Sequence, residues 1–291
     1  MNIDSLLRGG LSDGCDLARD NRGVAVALDK LRADGSAEAL SNIDIAVERL
    51  ILDYFDDMPQ LGVIAEEKLS RDCTPIDGVE WRLVLDPIDG SKYYLRDDGM
   101  NVCIMASLLR NRTVVASYVV NIATREVIGF GPKHPDVFLW YDTDFDRSRN
   151  LLEQTWPTAL VDAKVIMRYE PLAHGDTWAP LLSSWQHGSG PFDSAAILRG
   201  SIGGSFTHMW RGFAAAHTQR AQSWAQPWDN IPVDAINRKL GFVCARFDEA
   251  GQLVEFEPEL TFTAQRRPQS YIVIRRSLLP ELRQVVASRL A

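Results

Sequence analysis

The segment Leu83-Val84-Leu85-Asp86-Pro87-Ile88-Asp89-Gly90-Ser91-Lys92 places two carboxylates three residues apart at the end of an apolar run, with proline setting the exit and a Gly-Ser pair following. A hard divalent cation takes oxygen ligands, keeps several waters and holds substrate phosphate beside protein carboxylates. Asp86 and Asp89, with the Ile88 carbonyl between them, suit a pair of such ions. The amides of Gly90 and Ser91 stand at a turn or helix start, where backbone N–H groups receive phosphate oxygens. Taken alone, Asp-Pro-Ile-Asp-Gly is equally an ordinary turn, because those residue types are what turns are made of. It is not alone: Glu66 and Glu67 end a second apolar run, 61–65, and Asp229 lies in Pro227-Trp228-Asp229-Asn230-Ile231-Pro232, where a helix begins. By itself Asp229 reads as a helix N-cap.

The elements that position these acids follow from periodicity. Val47, Leu50, Ile51, Tyr54 and Phe55 recur at helical spacing from Ile43 onward, with Ser41-Asn42 as caps and Asp44 in the first turn. Without chemistry, Asp44 is a first-turn acid that favours the helix dipole. The runs 81–85, 102–109, 114–120 and 127–130 read as strands, and their short polar connections predict an antiparallel meander. The charged stretch 141–150 is the predicted boundary between an N-terminal α+β domain, 1–150, and a C-terminal α/β domain, 151–291. In the second half a strand at 164–167 precedes an irregular Gly-, Ser- and Pro-rich stretch. A helix carrying Phe206, Met209, Trp210 and Phe213 on one face follows, then strands at 242–246 and 271–274.

Composition narrows the function. Hydrophobic residues are 46% and charged residues 24% of the 291, which is globular usage, and 31 basic against 39 acidic residues leave a net charge of −8. No basic tract offers a nucleic-acid footprint, no apolar run reaches membrane-spanning length, and no secretory leader is visible. Cys15, Cys73, Cys103 and Cys244 form no C-x-x-C pair and read as reduced thiols of a cytoplasmic protein. The five histidines show no zinc spacing, and the glycine-rich segments at 188–190 and 200–205 lack the spacing of a nucleotide-binding loop.

Ala65-Glu66-Glu67, Asp86-Pro87-Ile88-Asp89-Gly90-Ser91 and Trp228-Asp229, in that order, resemble the G-E-E, D-P-[IL]-D-G-[ST] and W-D motifs of the inositol monophosphatase family of Mg²⁺-dependent, lithium-sensitive phosphatases. Arg32-Ala33-Asp34-Gly35-Ser36 is similar to the family's K-x-D-G-S loop, and Gly200-Ser201 to its G-[ST]-A. The resemblance spans roughly residues 30–250 and rests on the joint set rather than on any one motif. It implies an α-β-α-β-α sandwich of the inositol monophosphatase/fructose-1,6-bisphosphatase type. It implies a metal set of Glu66, Asp86, the Ile88 carbonyl, Asp89 and Asp229 for two or three Mg²⁺ ions. Catalysis falls to Asp44, Ser91 and Glu66, phosphate binding to Gly90 and Ser91, and substrate contact to Lys92, Gly200, Ser201 and Gln222. The partner implied is a small phosphorylated metabolite, and the assembly a homodimer.

Departures from the family pattern bear on substrate. Ser91 replaces threonine and keeps the hydroxyl. Gln222 stands where inositol-selective members carry an acid, Ile197 where an arginine is usual, and Phe242 where a glycine is usual. The expected reaction is Mg²⁺-dependent hydrolysis of an inositol phosphate, a sugar phosphate, histidinol phosphate or a 3′-phosphonucleotide. The alternative, motivated by Ile43, Ile197 and Phe242, is a catalytically weak regulatory relative that binds metal and phosphate.

Overall fold

The computed structural model describes residues 2–31, 37–67, 78–96 and 101–290. The 32–36 loop and Cys73 lie outside the described residues. The chain divides into two compact units, Met1–Asn150 with Gly200–Gly204 and Pro227–Ile236, and Leu151–Arg199 with Ser205–Gln226 and Asn237–Ala291.

The first unit opens with α1 (Ile3–Asp20), capped by the Asn2 side chain, which accepts from Asp4 N at 3.1 Å. Leu7, Leu11, Cys15 and Ala18 fall on one face of α1 and are fully buried. The hairpin β1 (Ala27–Leu31) and β2 (Ala37–Ser41) leads into α2 (Asn42–Asp53). A seven-stranded sheet follows, made of β3 (Gly62–Ala65), β4 (Trp81–Asp89), β5 (Cys103–Arg110), β6 (Thr113–Asn121), β7 (Val127–Gly131), β8 (His134–Trp140) and β9 (Ser148–Asn150) in chain order, with the short α3 (Ser91–Tyr94) after β4. Every neighbouring pair is antiparallel except β3 and β4, which are parallel. Leu83, Leu85, Ile104, Ala106, Leu108, Tyr118 and Val120 on the sheet and Val47, Ile51 and Leu11 on the helices form one apolar cluster.

The second unit holds a six-stranded mixed sheet. The elements after residue 150 are β10 (Lys164–Met167), α4 (Trp178–Gln186), β11 (Ser194–Ile197), α5 (Ile202–Trp210), β12 (Ala216–Gln219), β13 (Gln222–Ala225), α6 (Pro227–Lys239), β14 (Phe242–Phe247), β15 (Leu253–Phe256), β16 (Gln265–Arg267), β17 (Tyr271–Arg275) and α7 (Leu279–Leu290), of which the first three residues of α5 and most of α6 belong to the first unit. The strand order is β11-β10-β12-β17-β14-β15, while β13 and β16 form a separate pair. The core packs Trp178, Leu181, Leu182 and Trp185 of α4 and Leu282 and Val286 of α7 against Val165, Met167, Ala216, Ile272 and Ile274 of the sheet. Both units are therefore layered α+β structures, with sheets covered by helices.

The structure adds detail to one local reading and corrects three others. The charged stretch 141–150 holds the return of the β8–β9 hairpin, in which Trp140 pairs with Ser148, and Asn150 at its end closes the long N-terminal segment of the first unit. The 168–193 stretch is not irregular, because α4 lies within it and buries Trp178 and Trp185. Phe213 lies beyond α5, which ends at Trp210, and is 58% exposed, since Gly212 takes φ +88° and turns the chain away. β4 runs on past Asp86 to Asp89, so the acidic motif is strand and not turn.

Candidate metal centre

Strand register assembles the acids. Ala65 pairs with Leu85 across the parallel β3–β4 ladder, and Glu66 N donates to Leu85 O at 3.2 Å, which brings Glu66 level with Asp86. Pro87 has no N–H to give the ladder, and the β4–β5 pairing is irregular between Asp86 and Asp89. Asp229 is the third residue of α6, inside the first turn, so it is not the N-cap. Asp86, Asp89 and Asp229 each offer a carboxylate oxygen, all within 4.8 Å of one another.

These carboxylates cannot all be comfortable as anions. Burial first, and then the charges of Glu66, Asp89 and Asp229, hold the Asp86 carboxyl well above the ordinary carboxylate range. Asp86 is 1% exposed, and its Oδ1 is buried without a hydrogen-bond partner. A buried, unpartnered oxygen among converging carboxylates is the donor set of a hard divalent cation. The residues present therefore fit Mg²⁺.

Asp89 is held by the start of α5. Its Oδ1 accepts from Ile202 N at 3.1 Å and its Oδ2 from Gly203 N at 2.6 Å. Ser201 caps that helix, its Oγ accepting from Gly204 N at 2.7 Å. Gly90 takes φ +102°, and a Cβ there would meet Ser201 Cβ at 3.0 Å, so glycine is required both by conformation and by close approach. Ser201, expected as a substrate contact, thus lies against the metal motif, while Gly200, expected as another, lies against Asn101. Lys92 is exposed on α3, and Gln222 lies on β13 of the second unit.

Asp44 is fully buried and plays two parts. Ser41 and Asp44 form a capping box at the start of α2, where Ser41 N donates to Asp44 Oδ2 at 2.9 Å and the Ser41 hydroxyl also bonds that oxygen. Asp44 Oδ1 meanwhile accepts from Ser91 Oγ at 2.6 Å. Ser91 Oγ also lies 2.9 Å from Ile88 O, so its single proton is placed between a carboxylate and a candidate ligand carbonyl. Burial raises the Asp44 pKa, opposed by the hydrogen bonds from Ser41 and Ser91.

Sequence reasoning missed two participants. Lys30 Nζ lies 3.1 Å from Glu66 Oε1 and 3.0 Å from Glu67 Oε1, and Glu48, fully buried on α2, accepts from Glu67 N at 2.9 Å. Burial pushes the Glu67 carboxyl up to about 7, against the pull of Lys30 and with the push of Asp44 and Glu48. Nothing local marks Lys30, because its partners are 36 and 37 residues away.

The architecture is shared with solved structures. SuhB from Bartonella henselae, an extragenic suppressor protein, superposes at a TM-score of 0.72, with 15% identity over 98% of each chain. An inositol monophosphatase of Thermotoga maritima gives 0.68, with 15% identity over 100% of this chain and 98% of that one. An inositol monophosphatase/NADP phosphatase complexed with Mg²⁺ and phosphate gives 0.69, with 15% identity over 97% of this chain and 94% of that one. At such identity these likenesses define the fold, which is the layered α+β fold of the inositol monophosphatases. The family model described as inositol monophosphatase family matches residues 12–135, the stretch that carries Asp44, Glu66, Asp86, Asp89 and Ser91. That stretch is similar to the inositol monophosphatase family, and the match supports a phosphatase of its superfamily. No curated protein sequence matches the chain.

Proposed function

We propose that this protein is a Mg²⁺-dependent phosphatase that hydrolyses a small phosphate monoester with water as nucleophile. The observation that carries the reading is the convergence of Asp86, Asp89 and Asp229 within 4.8 Å, with one Asp86 oxygen buried and unpartnered. Glu66, Asp86, the Ile88 carbonyl, Asp89 and Asp229 would hold two Mg²⁺, with a third bound more weakly. Bound there, the ions would lower the pKa of a water and stabilise charge on the leaving oxygen.

The chain's own residues supply the rest. While the Ser91 hydroxyl donates to Asp44 Oδ1, its lone pairs remain able to take a proton from water, and Asp44 receives the proton Ser91 gives up. The raised Asp44 pKa suits that task, since a base must hold a proton through the step. Glu66 serves both as ligand and in orienting the water. The Gly90 and Ser91 amides receive phosphate oxygens, and Lys92, Gly200, Ser201 and Gln222 contact the rest of the substrate. The reading extends to a cytoplasmic homodimer, the first in keeping with four cysteines that form no C-x-x-C pair in the sequence.

The test is release of inorganic phosphate from inositol 1-phosphate, a sugar phosphate, histidinol phosphate and a 3′-phosphonucleotide, each with and without Mg²⁺. Mg²⁺-dependent release from one of them, lost in Asp89→Asn, is the expected result. Absence of release from all four, with Mg²⁺ binding intact by calorimetry, would instead favour the regulatory relative.

A further inference from the structure

In the second unit β11, β10 and β12 lie side by side and parallel, with β10 in the middle. An arginine follows the carboxyl end of each: Arg168 directly after β10, Arg220 directly after β12 and Arg199 two residues after β11. Met167 pairs with Ile197 on one side and Thr218 on the other, so Tyr169, Arg199 and Arg220 are reached after the same number of residues. Two of the arginines share one ring there, and the third pairs with the next residue along. The Arg220 guanidinium carbon lies 4.0 Å and that of Arg168 5.5 Å from the centroid of the Tyr169 ring. Arg199 Nη2 donates to Glu170 Oε1 at 2.9 Å.

The same edge is a topological switch point. The chain leaves β10 for α4, whose Trp178 and Leu181 pack with Val165 and Met167 on one face of the sheet. It leaves β11 for α5, whose Phe206 stacks at 4.2 Å on His217, the register partner of Ile166 on the opposite face. Neighbouring parallel strands whose crossovers diverge to opposite faces open a crevice at their carboxyl ends, which is where open α/β sheets bind ligands. Arg168 and Arg199 flank that crevice, and Arg220 stands one strand further on.

We infer that this edge is an oxyanion site, taking the phosphate or sulfate group of a small metabolite. Three guanidinium groups follow three adjacent strand ends, one of them paired with Glu170, and so gather positive charge in a chain whose net charge is −8. Planar guanidinium donors match the oxygens of such an anion, and the Tyr169 face holds two of them in place. The inference does not depend on the metal centre of the first unit.

Calorimetric titration of inorganic phosphate into the intact protein in EDTA tests it, because the acidic centre without metal repels phosphate and contributes no binding. Arg199 is 70% exposed and Arg220 is exposed, so Arg199→Ala and Arg220→Ala are expected to fold. The expected result is one phosphate per chain, bound at least tenfold more weakly by the double variant and with wild-type affinity by Arg110→Ala, an exposed arginine of the first unit. Arg220→Lys should recover part of the loss. No phosphate binding by the wild type, or equal binding by the double variant, overturns the site whatever the phosphatase assay shows. If the double variant does not fold, the Arg199→Ala single variant is held to the same criterion. The source of the anion is read from turnover with Mg²⁺. If it is a second anionic group of the substrate, kcat/KM for a sugar bisphosphate falls tenfold in the double variant while that for a monophosphate holds. If it is a free anion, both hold and only the response to added phosphate disappears.

Discussion

The Ser91 hydroxyl lies 2.6 Å from Asp44 Oδ1 across 47 residues of sequence, joining the strand that carries two candidate metal ligands to the first turn of α2. Its proton has two acceptors in reach, Asp44 Oδ1 and Ile88 O, and only the first can take the proton away. That asymmetry makes the pair a path for protons as well as a packing contact.

Replacing Ser91 with alanine removes the path and keeps every carboxylate. We expect kcat to fall by roughly 10²–10³-fold, as for other positioned acid–base groups, with Mg²⁺ affinity by calorimetry unchanged. Ser91→Thr, which retains the hydroxyl, should restore most of the rate. An alanine variant as fast as wild type would remove Ser91 from the reaction.

Charge among Asp86, Asp89 and Asp229 costs stability when no cation is present, because burial and like charges both disfavour the ionised forms. Asp86→Asn is therefore expected to raise the melting temperature in EDTA and to abolish the further rise that Mg²⁺ gives the wild type. A variant that melts lower in EDTA and still responds to Mg²⁺ would contradict the assignment.

Glu67 predicts a pH dependence for the metal-free protein. Its folded pKa of about 7 lies above the ordinary glutamate value of 4.5, so its contribution to stability is fully present below the lower value and is lost as pH rises through the upper one. The shift corresponds to about 3 kcal/mol. Urea unfolding in EDTA between pH 4 and 8 should show stability falling across that window, with a shallower fall in Glu67→Gln. Identical slopes in the two proteins would rule Glu67 out as the cause.

Lys30 holds one positive charge against Glu66 and Glu67. Its removal in Lys30→Gln leaves two carboxylates uncompensated, and at separations of a few ångströms the gain in attraction for a divalent ion is roughly tenfold in affinity. Calorimetry should show tighter Mg²⁺ binding, and melting in EDTA should show a less stable protein. Weaker Mg²⁺ binding by the variant would mean that Lys30 organises Glu66 rather than competing for it.

Several parts of this arrangement were legible in the sequence because they depend on neighbours a few residues apart. Ser41 and Asp44 announce a helix start, Asp86 to Ser91 announces a site at a strand end, and α2 shows its buried face at helical spacing. The hairpin return within 141–150 was not legible because a polar turn and a polar linker have the same composition. The helix α4 was missed because Gly, Ser and Pro around it outweighed the apolar period of Trp178, Leu181, Leu182 and Trp185.

The sequence by itself determined which side chains carry the chemistry, since the acids, the Ser91 hydroxyl and the Gly90 turn are properties of short segments. Only the tertiary structure decided which of them meet. Glu66 comes level with Asp86 because β3 and β4 pair in parallel with one register, and a slip of one residue would turn its side chain to the other face. Lys30 reaches Glu66 and Glu67, and α5 reaches Asp89, through contacts 36 to 114 residues apart. Arg168, Arg199 and Arg220 share an edge only because three parallel strands stop together. Register and strand order are set by the packing of whole sheets and helices, and no window of sequence a few residues long contains that information.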